Sequence, residues 1–265
     1  MNCVVTTANN PTIEAESLGR SIAEELALHY VSRKGSLEAI KSEYKTEIII
    51  VVAKNKIIAH TSGGEFFFHP SMAELRIKNL INGKDDHMVT SMGLAPGLSL
   101  LDCTLGLATD AIVASYVCGS KGKVFGLEAS PIVSLITSHG LKNYCLDNDA
   151  LNLALRRINV INADYHNYLT SLPDNSFDIV YFDPMFRHPV KSSSNIKPLR
   201  FLADNRPLAI KSLQEAKRIA RKRVVIKETK HSKVFSELGI KTSIGGKYSS
   251  VRYGVIETGG ELWTR

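Results

Sequence analysis

Two short apolar segments, about eighty residues apart and each ending near an aspartate, constrain the fold of this chain most strongly. The first covers residues 100–102 and turns at Gly106 into a helical pattern, and the second covers residues 180–182 and leads into Asp183. Apolar runs of this length that are bounded by turn residues are typical of buried strands. Ligands of an open α/β sheet bind beyond the carboxyl ends of its strands, so both segments are predicted to border one crevice.

From about residue 87 onward, strand patterns alternate with helical patterns. This alternation predicts a Rossmann-like α/β fold with a mostly parallel sheet and helices on both faces. The predicted strands are 99–102, 123–127, 158–161, 177–182 and 223–227, and the predicted helices are 109–117, 131–142, 148–156 and 207–221. Two last apolar segments, 240–244 and 251–256, predict a C-terminal antiparallel hairpin at one sheet edge, because Gly245 and Gly246 lie between them.

The N-terminal third of the chain has a pattern of its own. Apolar side chains at helical spacing predict a helix over 13–30, and strand patterns occupy residues 3–5, 48–53, 56–60 and 65–68. Residues 82–86 are polar and include Gly83, which favours a boundary there. We therefore predict a small N-terminal α/β domain, residues 1–84, with RNA binding as one candidate role, and a larger domain, residues 85–265.

Charge and cysteine content narrow the class of protein. The 265 residues include 33 Lys and Arg against 26 Asp and Glu, and both a nucleic-acid partner and an unspecialised basic surface fit the net charge of +7. The four cysteines show no CxxC spacing, no apolar run approaches the length of a membrane span, and no charged and apolar leader opens the sequence. These features predict a reduced cytoplasmic protein that does not enter a membrane.

The residues that border the first crevice discriminate between nucleotide cofactors. Glu128 ends the next predicted strand, 26 residues after Asp102, where an acid can hold ribose hydroxyls. A dinucleotide needs a G-x-G-x-x-G loop for its pyrophosphate. Only Gly106 is present here, with Ala108 and Thr109 where further glycines would be needed, so the loop disfavours NAD.

S-adenosylmethionine suits this loop better, because it has no phosphate and carries a sulfonium and an ammonium. Asp102 and Asp110 would attract those cations, whereas Asp110 would repel a diphosphate. A plain strand-to-helix turn at Gly106 is the alternative interpretation. After the third strand, Ala163 and Asp164 lie where polar groups can meet the adenine edge, and Asp164 also suits the N-cap of a following helix.

The acid after the second segment suggests the chemistry. An exocyclic amine of a base is a poor nucleophile, because its lone pair is delocalised into the ring. The Asp183 carboxylate and the Pro184 carbonyl can accept its two N–H bonds, and Phe186 can stack on the base. Alignment of the reacting atoms would then supply most of the acceleration. We predict Asp183, Pro184, Met185 and Phe186 as catalytic residues; a turn that only ends a strand is the alternative.

Basic residues near these segments are predicted to bind the substrate. The polar loop after Phe186 includes His188 and Lys191, which suit contacts with phosphate or base, and a solvated loop is the alternative. His188 can also accept the proton that the amine loses after transfer. Lys227 ends a later predicted strand and faces the same crevice edge.

Taken in order, these segments resemble the 16S ribosomal RNA guanine-N2 methyltransferase family (RsmJ-like), with its cofactor pattern D-x-T-x-G-L-x-x-D-A and its catalytic loop D-P-M-F-x-H-x-x-K-S. The residues that match the first pattern are Asp102, Thr104, Gly106, Leu107, Asp110 and Ala111. The residues that match the second are Asp183, Pro184, Met185, Phe186, His188, Lys191 and Ser192. Ala108 and Thr109 depart from the glycine and arginine usual there, and the resemblance covers roughly residues 100–227.

The resemblance implies a class I methyltransferase fold, S-adenosylmethionine as cofactor, and methyl transfer to guanine N2 of small-subunit ribosomal RNA. The partner it implies is 16S ribosomal RNA or the small ribosomal subunit, and no metal is predicted. The complete predicted cofactor-binding set is Asp102, Thr104, Gly106, Thr109, Asp110, Glu128, Ala129, Ala163, Asp164 and Asp183.

Other functions fit parts of the sequence. The acceptor can instead be adenine N6, another RNA or a protein amide. A noncatalytic RNA-binding protein with the same fold is a further alternative, although the acid-proline step and Glu128 argue against it. An NAD-linked oxidoreductase is disfavoured by the missing glycines.

Overall fold

The computed structural model of the protein describes residues 2–184 and 197–259. Its strands are β1 (Cys3–Thr7), β2 (His29–Tyr30), β3 (Ile48–Val52), β4 (Ile57–Thr61), β5 (Gly64–Phe67), β6 (Ser99–Asp102), β7 (Lys123–Glu128), β8 (Ile158–Asn162), β9 (Phe177–Phe182), β10 (Ala220–Thr229), β11 (Thr242–Ile244) and β12 (Val251–Glu257). Its helices are α1 (Ile13–Glu25), α2 (Leu37–Tyr44), α3 (Ser71–Ile81), α4 (His87–Met92), α5 (Thr109–Cys118), α6 (Pro131–Asn143), α7 (Asp149–Arg156), α8 (Tyr165–Tyr168), α9 (Lys197–Leu202), α10 (Ile210–Ile219) and α11 (Val234–Glu237).

A first compact unit comprises residues 2–69, 131–145 and 197–203. Within these residues lies a five-stranded sheet in the order β2-β1-β3-β4-β5, in which β1 runs parallel to β2 and β3, and β4 and β5 continue antiparallel. β1 and β3 are buried along their whole length, as expected for continuous β-branched and apolar sequences in the middle of a covered sheet. The α/β character predicted for the N-terminal third is confirmed.

The helix predicted over 13–30 is too long, because α1 ends at residue 25. Ala27 adopts a left-handed conformation with φ +52°, and the Leu28 N–H donates to the Ala23 carbonyl at 2.7 Å, which closes the helix. Tyr30 lies in β2 but still packs against α1, since a Cβ at Gly19 would be 2.8 Å from its ring. The apolar spacing therefore correctly predicts that Tyr30 packs against α1, although Tyr30 lies in a strand and not in the helix.

A second compact unit comprises residues 70–130, 146–184 and 204–259. In this part of the structure a seven-stranded sheet has the order β11-β12-β10-β9-β6-β7-β8. Strands β6 to β10 run parallel, and β12 is antiparallel to both β10 and β11. The predicted Rossmann-like sheet, mostly parallel with a C-terminal antiparallel hairpin, is confirmed.

The order of strands reverses between β6 and β9. From β6 the chain adds β7 and β8 on one side, and it then returns to place β9 and β10 on the other. β6 and β9 are direct neighbours, with Asp102 opposite Tyr181. Buried apolar side chains from these strands pack with those of α10, among them Leu101, Val180 and Leu213. A reversal of this kind is the place where open α/β sheets bind ligands.

The loop after β6 uses two left-handed residues to turn into α5. Gly106 has φ +52° and Ala108 has φ +60°. Glycine adopts this conformation freely, whereas an L-residue with a Cβ pays about 1 kcal/mol. Ala108 is completely buried and adopts a conformation that favours glycine, the residue usual at this point of the resembled family's loop pattern. The turn into α5 therefore stores local strain at Ala108.

The domain boundary predicted between residues 84 and 85 stays a prediction. The contacts group α3 with the second unit, and they group α6 and α9, which follow it in the chain, with the first unit. Among residues 2–184 and 197–259, no helix combines the length and the apolar character needed to cross a membrane.

Candidate active site

Charged side chains follow four neighbouring strands of the seven-stranded sheet. β6 ends at Asp102, β7 ends at Glu128, Asp183 directly follows β9, and Lys227 lies in the last part of β10. Because Ile226 pairs with Phe182, Lys227 and Asp183 occupy equivalent positions on adjacent strands. The carboxyl ends of parallel strands meet at the same sheet edge, so these four residues border one crevice at the strand-order reversal.

Backbone and side-chain hydrogen bonds connect the ends of β6 and β9. The Thr104 N–H donates to Asp102 Oδ1 at 3.0 Å, and the Asp183 N–H donates to Thr104 Oγ1 at 2.6 Å. The Cys103 N–H donates to the Tyr181 carbonyl at 2.9 Å. Thr104 is thereby the residue that fixes the start of the Asp183-Pro184 segment relative to the cofactor loop.

Asp102 is an acid held in an apolar environment. Its side chain is 1% exposed, and the Thr104 N–H is its hydrogen-bond donor among the described residues. Burial raises the pKa of Asp102 to about 8, with the neighbouring carboxylates of Asp110 and Asp183 adding to the rise. A buried acid of this kind gains most from a cation placed beside it.

Glu128 organises the two loops that follow β6 and β7. Its carboxylate accepts the Gly106 N–H at 3.0 Å and the Ser130 N–H at 2.8 Å, one on each oxygen. Its carbonyl accepts the Ala163 N–H at 3.1 Å and the Asn162 side-chain amide at 2.7 Å, which ties the end of β8 to the same place. Burial raises the pKa of Glu128, and the backbone N–H bonds oppose that rise.

Asp110 is bound by a cluster of protein groups. Its Oδ2 accepts the Tyr181 hydroxyl at 2.7 Å and the Lys227 ammonium at 3.0 Å, and its Oδ1 is hydrogen-bonded to the Arg76 guanidinium. Arg76 in turn forms a two-pronged pair with Asp86, at 2.8 and 2.9 Å. Burial alone would raise the pKa of Asp110, but the Lys227 and Arg76 cations hold it below its ordinary value. The contact predicted between Asp110 and the cofactor stays a prediction.

Lys227 links Asp110 to the predicted catalytic acid. Its Nζ donates to Asp183 Oδ2 at 2.6 Å as well as to Asp110. Burial would lower the pKa of Lys227, but the two carboxylates raise it above its ordinary value, so the amine stays charged. Burial raises the pKa of Asp183, Lys227 lowers it, and Asp110 raises it further. The net direction is a raised pKa, because burial outweighs the opposing effect of the Lys227 ammonium.

Two members of this cluster are absent from the predicted site. Arg76 lies in α3, before the predicted methyltransferase domain, and nothing in its local sequence indicates a partner at Asp110. For Tyr181, the sequence pattern predicts only a position in a buried strand. The available signal is Asp110 itself: an acid in the first turn of a helix whose other residues are mostly apolar and buried requires a cation or hydroxyl donor nearby.

Asp164 caps α8, as its sequence predicted, by accepting the His166 N–H at 2.9 Å. It also accepts from Arg206 at 2.8 Å, and Arg206 holds Asp204 at 2.6 Å. Asp164, His166 and Asp204 form a group of possible metal ligands, with ligand atoms within 4.8 Å of one another. Arg206 already supplies positive charge to both carboxylates, so the cluster is accounted for by ion pairs.

The remaining predicted site residues fall into two groups. Thr109 is the first residue of α5, Ala129 accepts a long 3.4 Å hydrogen bond from Asn162, and Pro184 follows Asp183. Met185, Phe186, His188 and Lys191 lie outside the described residues. The roles assigned to all of these residues stay predictions.

The residues at the crevice suit S-adenosylmethionine. Asp102 is a buried acid in need of a cation, and the cofactor carries two. Glu128 uses one acceptor position on each oxygen for backbone N–H groups, which leaves further lone pairs for ribose hydroxyls. Asp110 lies in the first turn of α5, where a diphosphate would need N–H donors and no negative charge.

These features define a class I methyltransferase that uses S-adenosylmethionine: the strand order, the point where it reverses, and the acids at the strand ends. The family model "Putative SAM-dependent methyltransferase" matches residues 65–257. The chain therefore belongs to this family and is of the RsmJ-like type, with S-adenosylmethionine as its cofactor.

Relatives and solved structures agree with that assignment. The chain is similar to the YpiP protein of Bacillus subtilis (strain 168), with 37% identity over 96% of this chain and 99% of that one. It is 30% identical to ribosomal RNA small subunit methyltransferase J of Thioalkalivibrio sulfidiphilus over 61% of this chain and 62% of the relative, so the match spans less than two thirds of that protein. The crystal structure of the SAM-dependent methyltransferase NGO1261 from Neisseria gonorrhoeae has the same fold, with a TM-score of 0.66 at 18% identity over 98% and 97% of the two chains.

Proposed function

We propose that this protein transfers a methyl group to an exocyclic amine of a nucleic-acid base, and that the acceptor is guanine N2 in small-subunit ribosomal RNA. Asp183 is the residue that carries the proposal. It stands at the strand-order reversal with its backbone fixed by Thr104 and its side chain fixed by Lys227. An acid held on both sides beside a cofactor loop suits the orientation of an N–H group.

Asp183 has an acceptor to offer to such an amine. Lys227 donates to Oδ2, and none of the described residues donates to Oδ1. The carbonyl oxygen of Pro184 is the second acceptor in this proposal. Two acceptors in these positions would hold both N–H bonds of the amine and turn the nitrogen lone pair away from conjugation with the ring. The acceleration would then come mainly from orientation, which can lower a barrier by as much as about 7–11 kcal/mol.

S-adenosylmethionine supplies a methyl group on a sulfonium sulfur that is already a good leaving group. The protein therefore needs no strong acid at this step. When the nitrogen forms its bond to carbon it must lose one proton, and the Asp183 carboxylate is hydrogen-bonded to that N–H in this proposal. The adjacent Lys227 ammonium opposes the rise that burial causes in the pKa of Asp183, and so favours the ionised form that accepts this proton.

The choice of acceptor rests on the relatives and on the consecutive residues Asp183 and Pro184. Several curated relatives at about 30% identity are named ribosomal RNA small subunit methyltransferase J. Their matched regions cover about 60% of their own length, so their substrate comes to this chain as a proposal. The predicted partner, 16S ribosomal RNA or the small subunit, and the predicted cytoplasmic location belong to the same proposal.

Nucleoside mapping tests the acceptor directly. Ribosomal RNA from cells that lack this protein is digested and compared by mass spectrometry with RNA from cells that carry the wild type or Asp183→Asn. We expect one N2-methylguanosine of 16S RNA to be absent without the protein and to return only with the wild type. The loss of an N6-methyladenosine, or of a mark on another RNA, would replace the acceptor. Unchanged RNA in every strain, together with no transfer to RNA by the purified protein, would contradict the proposal.

A further inference from the structure

The positive charge of the second unit is concentrated near its C-terminus. Residues 204–259 contain 13 Lys and Arg against 5 Asp and Glu, whereas residues 70–130 and 146–184 of the same unit together contain 7 against 12. Five of the thirteen cations form ion pairs inside the unit, namely Arg206, Arg218, Arg221, Arg223 and Lys227. Lys230 and Lys247 are among the other eight: both are exposed, and no ion pair joins either of them to a carboxylate among the described residues. Their charge is available to a ligand.

Hydrogen bonds hold these two lysines together on one turn. The Ser249 N–H donates to the Gly246 carbonyl at 3.1 Å, which places Lys247 and Tyr248 at the tip. The Lys230 N–H donates to the Ser250 carbonyl at 2.8 Å, and Lys230 Nζ donates to the Lys247 carbonyl at 3.3 Å. We call Lys230, Lys247 and Tyr248 the Lys-Tyr turn. Its backbone is ordered by these bonds before any ligand arrives.

The aromatic side chain at the tip has no packing role in the described structure. Tyr248 is 92% exposed, and the Lys247 ammonium lies 5.6 Å from its ring centroid. An exposed ring flanked by cations is the combination with which proteins bind unpaired nucleotides, since the ring stacks on a base and the cations contact phosphates. Tyr248 on a pre-ordered turn would meet a base with little loss of entropy.

The Lys-Tyr turn lies at the same sheet edge as the catalytic acid. β12 runs antiparallel to β10, with Val251 opposite Thr229 and Tyr253 opposite Lys227, so the turn that precedes β12 is at the carboxyl end of β10. Lys230 is three residues beyond Lys227, about 10 Å along the chain at the rise of an extended strand. Lys227 is bonded to Asp183. A strand of RNA with one base at Asp183 can therefore reach the turn with a neighbouring nucleotide.

We propose that the Lys-Tyr turn binds single-stranded RNA next to the nucleotide that is methylated. Tyr248 stacks on an unpaired base, and Lys230 and Lys247 contact the adjoining phosphates. The inference rests on the proposed function, because it assumes that RNA is the substrate whose acceptor base enters the crevice.

RNA-binding measurements on the full-length chain test this surface apart from catalysis. The probe is a short fluorescein-labelled single-stranded RNA, with a 16S ribosomal RNA transcript as second ligand, and the affinity is measured by anisotropy across a salt series. Tyr248→Ala should weaken binding about tenfold, within the range found for loss of one base stack, and Tyr248→Phe should keep it. Lys230→Glu with Lys247→Glu should reduce the slope of log K against log salt by about 1.4, the loss of two phosphate contacts.

A matched control carries the same charge change at the amino ends of the parallel strands, on the side of the sheet away from Asp183. Lys121 and Lys123 are exposed at the start of β7, and Lys121→Glu with Lys123→Glu should leave the salt slope within error of the wild type. If the Tyr248 and lysine variants bind RNA as the wild type does, or if the control pair loses as much affinity, the inference is wrong. The same holds if the wild type binds no RNA.

Methyl transfer by the same variants separates this inference from the proposed function. A wild type that binds RNA through the Lys-Tyr turn but transfers no methyl group to it would contradict the proposed function and leave the surface in place. A wild type that methylates RNA, with the Tyr248→Ala variant unchanged in both KM and Kd, would contradict the surface and leave the function. Binding of labelled S-adenosylmethionine should be equal in all variants, which reports that each is folded.

Discussion

The five-stranded and seven-stranded sheets share a doubly wound plan and differ in the residues that follow their parallel strands. β1 is flanked by β2 and β3, just as β6 is flanked by β7 and β9, so each sheet has a reversal of strand order. β1 ends on Thr6 and Thr7, whereas β6 and β7 end on Asp102 and Glu128. Both sheets therefore have a point where the strand order reverses, and in the seven-stranded sheet acidic residues end the strands beside it.

The strongest test of this contrast removes the acid after β9. Asp183→Asn keeps the shape of the side chain but replaces a carboxylate oxygen by an amide donor, so we expect methyl transfer to fall roughly 10²–10³-fold, the scale of losing one preorganised polar group in an active site. The melting temperature should change little, because Lys227 keeps its bond to Asp110. Transfer at a near-normal rate by a folded Asp183→Asn protein would remove the catalytic assignment.

The second test removes the cation between two acids. Lys227→Met leaves Asp183 without a cation and leaves Asp110 with Arg76 as its cation, so we expect a loss of roughly 2–3 kcal/mol of unfolding free energy. That is near the lower end for a broken buried pair, because Lys227 keeps 20% exposure. The pKa of Asp183 should rise, and the acidic limb of the pH–rate profile should move to higher pH. Denaturant titration and the rate profile give both readings.

Lys211→Met is a control for this substitution, since Lys211 is exposed on α10 in the same unit. It should change neither stability nor the pH–rate profile. Equal behaviour of the two variants would show that Lys227 is an ordinary surface lysine.

The third test addresses the acid at the end of β7. Glu128→Gln places an amide where two backbone N–H groups need acceptors, so we expect the affinity for S-adenosylmethionine to fall about tenfold or more through loss of the loop and of the ribose contact. Glu65→Gln, in the five-stranded sheet, should bind as the wild type does. Equilibrium dialysis measures both. Unchanged affinity in Glu128→Gln would mean that the ribose is held elsewhere.

The fourth test uses pH to find the buried acid at the end of β6. With the pKa of Asp102 near 8, a cationic cofactor must displace a proton below that pH, so its affinity should fall up to about tenfold from pH 8 to pH 7. Asp102→Asn should flatten this dependence. The raised pKa also means that folding favours the protonated acid, so its contribution to stability declines as pH rises from about 4 to 8. Parallel curves for both proteins would contradict the assignment.

The smallest effect is expected in the five-stranded sheet. The hydroxyls of Thr6 and Thr7 are buried without hydrogen-bond partners among the described residues, so Thr6→Val and Thr7→Val should be neutral or stabilise by up to about 1 kcal/mol. Thr61→Val is the contrast, because the Thr61 hydroxyl donates to the Gly64 carbonyl and accepts from the Gly63 N–H. That variant should lose about 1 kcal/mol. Loss of stability in Thr6→Val or Thr7→Val would contradict this prediction.

The sequence predicts which residues end the strands of the site. The length of each apolar segment and the turn residues after it indicate that strands end at or next to Asp102, Glu128 and Asp183, and the structure brings all three to one edge of the sheet. Parallel pairing guarantees this outcome once the strands are found, because the carboxyl ends then coincide.

Contacts between distant parts of the chain leave no such pattern in the sequence. Arg76 precedes Asp110 by 34 residues, and only the packing of α3 beside α5 brings their side chains together. The same limit explains the overlong helix: Tyr30 is at the correct distance from α1, but a left-handed Ala27 turns the chain into a strand first. The spacing of apolar residues indicates which side chains share a face. It does not indicate whether each of those residues lies in the helix or in the strand that follows it.

The alternation of charge through Arg76, Asp110, Lys227 and Asp183 has a consequence for how the chain can change over evolutionary time. Each member compensates its neighbour, so a neutral replacement at one position strands an opposite charge at the next. We therefore expect homologous chains to exchange Asp110 and Lys227 together. The double variant Asp110→Asn with Lys227→Met should lose less unfolding free energy than the sum of the losses in the two single variants. The positions of Arg76, Asp110 and Lys227 should covary, whereas an exposed lysine outside the proposed sites, such as Lys211, should vary independently.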